Sequence, residues 1–263
     1  MCNTPSKTVL PQSWMSLYTE TYYNDTCIST ATGFVVEATN NKKFLLTNNR
    51  HVVTGKDNQT DKCLHKLCAI PNKLKIFFNQ KPNISGIYGQ WIPKELNLYD
   101  NNKIPRPMWV EHPKFKGAID VVAIELPYLD KVDYCPYILD STFDIQLYPS
   151  DYLSVVGFPF NKKSYGYLAI WTIGFLASDI DIDHDNLPLF LIDCRTRTGQ
   201  SGSPVIVHRN GGTFINKAGN SCIIVGIKSK LLDIYSGRIN MESDLGYVWK
   251  LSVIREIIEQ NKC

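Results

Sequence analysis

Three segments of the 263-residue sequence carry side chains whose types could together perform acyl transfer. His51 follows an apolar run that ends in a turn, Asp120 opens another apolar run, and Ser201 lies in the glycine-rich turn Thr198–Pro204. Each feature alone also fits a bland explanation: a packed histidine, a turn aspartate or a tight turn that needs glycine. Together they predict a nucleophile, a base and an acid that orients the base.

The chemistry of a serine nucleophile explains why these residue types are needed. A serine hydroxyl is a weak nucleophile near neutral pH and needs an adjacent base. A neutral imidazole can accept its proton, because the unperturbed pKa of histidine is about 6.5. A buried carboxylate on the other ring nitrogen holds the tautomer and stabilises the imidazolium. Backbone N–H groups in a glycine-rich turn can bind the developing oxyanion, and one such donor is typically worth ~3–4 kcal/mol of barrier.

The order of these residues separates the classes of serine hydrolase. An α/β-hydrolase has Gly-x-Ser-x-Gly between a strand and a helix, and its partners follow in the order Ser, Asp, His. Here Ser203 stands at the second glycine of that pattern, and Pro204 opens a predicted strand. The order His51, Asp120, Ser201 is that of the serine proteases built from two barrels.

The elements that must position these residues are mostly strands. Short apolar or alternating runs are separated by Gly, Asn, Asp and Pro, which favours an all-β barrel or sandwich. Helical spacing occurs at Trp14, Leu17 and Tyr18 and again from 251 to 258, where Ser252 is a candidate N-cap. The predicted strands are Gly33–Ala38, Lys43–Thr47, Lys73–Phe78, Asp120–Leu126, Leu153–Phe158, Tyr167–Leu176, Leu189–Cys194, Pro204–His208, Cys222–Ser229 and Leu245–Leu251.

A region with few strand signals, from 128 to 149, divides the chain into halves with similar numbers of predicted strands. We therefore expect an N-terminal barrel with an N-terminal extension over 1–135, a linker over 136–149 and a C-terminal barrel with a terminal helix over 150–263. The first unit would supply the base and the acid, and the second would supply the nucleophile.

On these residues the sequence resembles the chymotrypsin-like (trypsin-like) serine peptidases, in particular bacterial types such as the high-temperature-requirement proteases and glutamyl endopeptidases. The resemblance rests on LLTNNRHVV, AIDVVAIELP, VVGFPF, GQSGSPV and IVGIKS, which are scattered over most of the chain. It implies two six-stranded antiparallel β-barrels with the active site in the cleft between them and a short C-terminal helix. It also implies a serine endopeptidase that uses neither cofactor nor metal.

The resemblance assigns a role to each matching residue. Ser201 would be the nucleophile, His51 the general base and acid, and Asp120 the residue that orients His51. The backbone N–H groups of Gly199 and Ser201 would form the oxyanion hole. Ser229 would begin the edge segment that pairs with an extended substrate.

The resemblance also places a specificity pocket. Arg195 and Thr196 would lie near its base and wall, Lys228 beside the substrate-pairing edge, and Gly246 and Tyr247 on the far wall. Thr196 next to a cation would favour an acidic side chain in the substrate. The alternative is that Arg195 and Lys228 point into solvent, as most Lys and Arg side chains do.

The sequence departs from the animal digestive members at Gln200, where they carry an aspartate that pairs with a newly cut N-terminus. Activation by N-terminal cleavage is therefore not expected. This departure leaves an alternative function open: a protease-like binding module, or a protease that needs a partner to order its oxyanion loop.

Charge and composition limit the partners of the protein. The chain has 28 Lys and Arg against 25 Asp and Glu, and this net charge of +3 is too weak and too dispersed for a nucleic-acid stripe or a membrane patch. The longest apolar stretch is far shorter than the ~20 residues of a membrane span. The start of the sequence lacks the pattern of a secretory signal. We therefore expect a cytoplasmic protein that acts on protein or peptide substrates, and regulation by a partner protein stays open.

Two clusters invite a metal-binding interpretation. Cys63, His65 and Cys68 lie close in sequence, but their spacing is not that of a zinc finger or ribbon. The acidic segment Ser178–Asn186 lacks the glycine and glutamate of an EF-hand loop. We expect a surface loop with free thiols and a solvated acidic loop instead.

Overall fold

The computed structural model describes residues 9–38, 43–81, 90–240 and 242–260. It is an all-β structure with two antiparallel sheets and few helices, as predicted. In chain order the elements are α1 (Pro11–Met15), β1 (Ser16–Tyr23), β2 (Thr26–Ala38), β3 (Lys43–Asn48), α2 (Arg50–Thr54), β4 (Lys73–Gln80), β5 (Trp91–Asn97), β6 (Trp109–Glu111), β7 (Val122–Glu125), β8 (Val132–Asp133), β9 (Tyr152–Gly157), β10 (Ile170–Leu176), β11 (Leu189–Asp193), β12 (Pro204–Ile215), β13 (Ser221–Arg238), β14 (Leu245–Lys250) and α3 (Leu251–Gln260).

The second sheet is a closed barrel of six strands, in the order β10-β11-β14-β13-β12-β9. This confirms the predicted C-terminal barrel. The alternating apolar residues of β9, β11 and β12 point into its interior, where they form one buried cluster that also includes Phe143 and Tyr235. All six strands were predicted, although β12 and β13 extend well beyond their predicted limits.

The first sheet has eight strands in the described residues, not the six that were predicted. Its order is β5-β4-β1-β2-β3-β7-β6, and β8 pairs with β4. The strands missed by the sequence prediction are β1, β5, β6 and β8. β6 and β8 are only three and two residues long, which is too short to show a period.

The helix predicted from the spacing of Trp14, Leu17 and Tyr18 is wrong over most of its length. α1 ends at Met15, and Leu17 and Tyr18 lie in β1. Leu17 packs into the core of the first sheet, whereas Tyr18 packs into a cluster between the two sheets. β1 is therefore buried on both faces, so its apolar residues do not alternate, and helical spacing arises by coincidence.

The predicted C-terminal helix is confirmed as α3. Its buried side chains are Val253, Ile254, Ile257 and Ile258. The helix begins at Leu251, so Ser252 lies inside its first turn and is not the N-cap.

A hydrophobic cluster between the two sheets includes α3 and residues of both sheets, such as Phe34, Ile206 and Trp249. Along the chain, the first sheet ends at Asp133 and the second begins at Tyr152, and the linker was predicted between them. Side chains of this stretch are also buried: Tyr137 packs edge-on against Phe34. The limits of the two predicted domains themselves stay a prediction.

Within the described ranges, no helix has the length and apolar character that a membrane span requires.

Candidate active site

The pairing of β3 with β7 brings His51 and Asp120 together. Asn48, the last residue of β3, lies opposite Val122, the first residue of β7. His51 follows the end of β3 and Asp120 precedes β7, so the two residues lie side by side. Asn49 fixes this junction, because its side-chain amide donates a hydrogen bond of 2.8 Å to the backbone carbonyl of Asp120.

The carboxylate of Asp120 is buried and accepts hydrogen bonds on both oxygens. The backbone N–H of His51 donates to Oδ1 at 2.8 Å, and Nδ1 of the imidazole lies 2.6 Å from Oδ2. The hydroxyl of Ser236 also donates to Oδ2. An ionised carboxylate can only accept hydrogen bonds, so Nδ1 carries the proton when the ring is neutral, and Nε2 is left as the basic nitrogen.

The pKa of His51 is raised above its ordinary value of 6.5, and this is the net result of effects that act in opposite directions. Burial of the imidazole lowers the pKa, because it penalises the charged form. The negative charge of Asp120 and the hydrogen bond to it raise the pKa, and the charge of Asp57 raises it further. The attraction from these carboxylates outweighs the burial. The structure therefore stabilises the imidazolium that forms when His51 takes a proton.

The turn that carries Ser201 is fixed on two sides. The backbone N–H of Thr32, in β2, donates to the carbonyl of Ser201 at 2.9 Å, and the N–H of Gly202 donates to the carbonyl of Tyr235, in β13, at 2.9 Å. Gly202 has φ +81° and packs so closely that a Cβ atom there would lie 2.6 Å from Oδ1 of Asn48. The turn is therefore held between the two sheets, beside the residues that lead into α2.

One short stretch of β13 connects the serine turn to the acid. The carbonyl of Tyr235 accepts from Gly202, and the hydroxyl of the next residue, Ser236, donates to Asp120. In the described part of the chain the imidazole of His51 bonds to Asp120 and not to Ser201. Hydrogen bonds between a base and a nucleophile are often long in ligand-free sites and tighten when substrate binds.

Backbone hydrogen bonds orient the peptide group before Gly199. The carbonyl of Thr198 accepts a bond of 2.7 Å from the N–H of Phe160. The peptide is trans, so the N–H of Gly199 points away from Phe160. Gly199 itself has φ +95°, and a side chain there would collide with the carbonyl of Phe158. Only glycine fits this position.

Gln200 is fully buried, and its side chain bonds both to its own loop and to β10. Its Oε1 accepts from the N–H of Arg197 at 2.8 Å, and its Nε2 donates to Oγ1 of Thr172 at 3.0 Å. These hydrogen bonds fix the side chain of Gln200 between its own loop and β10. Sequence reasoning singled out Gln200 as a departure but could not predict these partners.

The residues predicted for the substrate edge lie in the long β12–β13 hairpin. Ser229 lies opposite His208 in the long β12–β13 hairpin, 2.6 Å from its Nδ1, and Lys228 lies opposite Arg209. Neither position is next to the Ser201 turn. The residue beside that turn is Ser236, seven positions later, because the hairpin is longer than the motif IVGIKS suggested. The sequence Tyr-Ser-Gly-Arg over 235–238 belongs to the part of β13 that lies beside this turn.

The residues predicted for the specificity pocket lie in different environments. Thr196 is buried, and its hydroxyl shares a hydrogen bond with the hydroxyl of Tyr235. Gly246 lies opposite Arg238, and a Cβ atom there would lie 2.7 Å from the ring of Tyr235. The aromatic ring therefore fills the space between Thr196 and Gly246. The side chain of Arg195 is 83% exposed and points into solvent, which agrees with the alternative reading of this cation.

Tyr247 of the predicted far wall pairs with Gly237 and is partly buried. Burial raises the pKa of Tyr235 to about 12, so its hydroxyl stays neutral at physiological pH. The candidate pocket is consequently floored by a neutral hydroxyl pair.

The two clusters considered as metal sites do not assemble one. Among residues 9–38, 43–81, 90–240 and 242–260, no three His, Cys, Asp or Glu side chains meet in a way that could hold a metal ion. Cys63 and Cys68 are free thiols at the surface loop between α2 and β4.

The comparisons with known proteins give structural matches only. No family model matches the chain, and no curated protein matches it in sequence. The active form of the Rv3671c protease from M. tuberculosis matches with a TM-score of 0.51 over 96% of this chain and 82% of that chain, at 14% identity. The serine endoprotease from Yersinia pestis matches with a TM-score of 0.51 over 97% of this chain and 66% of that chain, at 10% identity. At these identities the likeness establishes the fold, and the chain has the chymotrypsin-like fold of bacterial serine proteases.

Proposed function

We propose that the protein is a serine endopeptidase in which Ser201, His51 and Asp120 act as a catalytic triad. The observation that carries this proposal is the imidazole of His51, bound to a buried carboxylate through Nδ1. The turn of Ser201 is fixed to β2 and β13 on either side of that pair. The fold shared with bacterial proteases supports the same conclusion.

In this mechanism Oγ of Ser201 attacks the carbonyl carbon of the scissile peptide bond, and its proton passes to Nε2 of His51. Asp120 stabilises the imidazolium. The tetrahedral intermediate collapses, and His51 gives the proton to the leaving amine. Water then attacks the acyl-serine with His51 again as base, which releases the acid product and restores Ser201.

The N–H groups of Gly199 and Ser201 bind the oxyanion in this proposal. The bond from Phe160 to the Thr198 carbonyl supports it, since it turns the Gly199 N–H away from the loop of Phe160. Preorganised donors of this kind stabilise charge that develops only in the transition state.

The acyl part of the substrate binds at the edge of β13 in this proposal. Pairing of β13 with β12 stops near Tyr235, whereas pairing with β14 continues through Gly237 and Arg238. An extended peptide can therefore add along Ser236–Arg238. The ring of Tyr235 closes the pocket below, so the side chain before the scissile bond is small.

The test uses a denatured protein substrate and two neighbouring serines. Ser201→Ala abolishes hydrolysis, because the nucleophile is lost. Ser203→Ala is the matched control: Ser203 is buried in the same turn and its hydroxyl has no partner among the described residues. Equal hydrolysis by the Ser201→Ala variant and the wild type would remove Ser201 from the proposed role.

The alternative function, a protease-like binding module or a protease that waits for a partner, predicts a protein that folds but does not hydrolyse peptides alone. The motivation is the imidazole of His51, which is not bonded to Ser201 in the described residues. Against it stand the bonds of Gln200 to Arg197 and to Thr172 of β10, which support an ordered oxyanion site without a partner.

A further inference from the structure

Phe160 is an exposed aromatic residue with an unusual backbone conformation. Its side chain is 60% exposed, and its φ is +51°. A left-handed conformation is costly for a bulky residue, and such strain is concentrated at functional sites. The next residue, Asn161, is also left-handed, with φ +60°. The exposure of this ring therefore calls for an explanation.

The chain around Phe160 is anchored at both ends. Phe158 is fully buried and packs edge-on against Tyr18, at 5.2 Å between ring centroids. Lys163 lies with its Nζ 3.8 Å from the centroid of the Tyr18 ring and 4.8 Å from that of Tyr167. Phe160 is thus held in the open between fixed neighbours, rather than exposed at the tip of a loose loop.

Phe160 also lies next to the candidate oxyanion site. Its N–H holds the carbonyl of Thr198, directly before Gly199. The side chain of Asn161 is hydrogen-bonded to that of Thr30, in β2. Thr32, two residues further along β2, binds the carbonyl of Ser201. β2 and the segment of Phe160 therefore both lie beside the turn of Ser201.

We infer that the ring of Phe160 binds an apolar side chain of the substrate just after the scissile bond. This inference rests on the proposed function, which places the acyl part of the substrate along Ser236–Arg238. The leaving part then departs on the opposite flank of Ser201, past Thr30 and Phe160. An exposed ring held rigidly there offers apolar contact area at a small entropic cost.

The experiment compares two peptides with the same acyl part. One carries Leu at the two positions after the scissile bond, and the other carries Ser there. The quantity measured is the ratio of their kcat/KM values. Phe160→Asn removes the ring, and Asn tolerates a left-handed backbone. We expect the Leu/Ser ratio to fall about tenfold, as for the loss of one apolar contact in a binding pocket.

Two controls separate binding from a structural effect. Phe160→Tyr keeps the ring and retains the wild-type ratio. Phe175→Asn removes another exposed ring, 52% exposed on β10, and also retains the ratio. An equal loss on both peptides in Phe160→Asn, or an unchanged ratio, would overturn this inference while leaving the proposed function in place. A wild type that cleaves neither peptide would overturn both.

Discussion

At the scale of single residues, the proposed chemistry depends on the balance of charge around His51. Burial opposes the imidazolium, and Asp120 and Asp57 favour it, with a raised pKa as the result. A general base works in its neutral form, so the rate rises as the pH passes upward through this pKa. We expect kcat/KM to show an acid limb above pH 6.5.

Asp57→Asn tests this balance. Removing one negative charge lowers the pKa of His51, so the acid limb of kcat/KM moves to lower pH. The asparagine keeps the oxygen that accepts hydrogen bonds from Thr60. Asp61→Asn is the control, because the Asp61 carboxylate pairs with Lys56 in the same loop. A limb that stays in place in Asp57→Asn, or moves equally in both variants, would contradict the account.

A second prediction at this scale concerns the ring of Tyr235. Tyr235→Val empties the space between Thr196 and Gly246, so kcat/KM for substrates with Leu or Phe before the scissile bond rises about tenfold relative to Ala. Tyr235→Phe keeps the ring and the wild-type preference. The measurement is a cleavage profile over a peptide library. A wild type that prefers Asp or Glu at this position would instead support the acidic pocket predicted from the resemblance.

Residue types and chain order predict His51, Asp120 and Ser201 as a group, because the chemistry restricts both. The structure pairs the first two, through Nδ1 of His51 and Oδ2 of Asp120. Ser236 and Tyr235 could not be placed in this way. Their proposed role depends on where β13 passes the serine turn, and this depends on the length of the β12–β13 hairpin. An ungapped count from a motif therefore selected Lys228 and Ser229 instead.

At the scale of elements, strand pairing positions the candidate site. The pairing of β3 with β7 brings His51 and Asp120 together, and backbone bonds to β2 and β13 fix the turn of Ser201. Alternating apolar runs predicted ten strands that are all present. β1 was missed because it is buried on both faces. An alternating apolar pattern indicates a strand with one buried face. It cannot identify a strand that is buried on both faces because two cores share it.

Gly202→Ala tests the contact between the serine turn and β2. A Cβ atom there would collide with the carbonyl of Thr32. Gly219 has almost the same φ, +82°, with open space around it. We expect Gly219→Ala to lower the free energy of unfolding by about 1–2 kcal/mol, the cost of a left-handed alanine. Gly202→Ala adds about 1–3 kcal/mol from overpacking.

The measurements are denaturant unfolding and the rate of peptide hydrolysis. Hydrolysis is lost in Gly202→Ala and unchanged in Gly219→Ala. Similar stability and activity in the two variants would show that the turn is not seated against β2.

At the scale of the whole molecule, the two sheets share one buried cluster with α3. The candidate site lies where they meet, with Thr32 from the first sheet and Ser236 from the second each bonded across the boundary. The all-β class was predictable from composition and pattern, and the six-stranded C-terminal barrel was predictable from the family resemblance. The eight-stranded first sheet was not, because its extra strands are short or doubly buried.

The most direct test of the account is to label the folded protein with a fluorophosphonate probe and to identify the residue that reacts. The labelled protein is digested, and tandem mass spectrometry of the peptides locates the adduct. We expect one adduct, on Ser201, and its loss in His51→Ala, because the hydroxyl then has no base. Reaction at another residue, or a Ser201 adduct that forms equally fast without His51, would contradict the account.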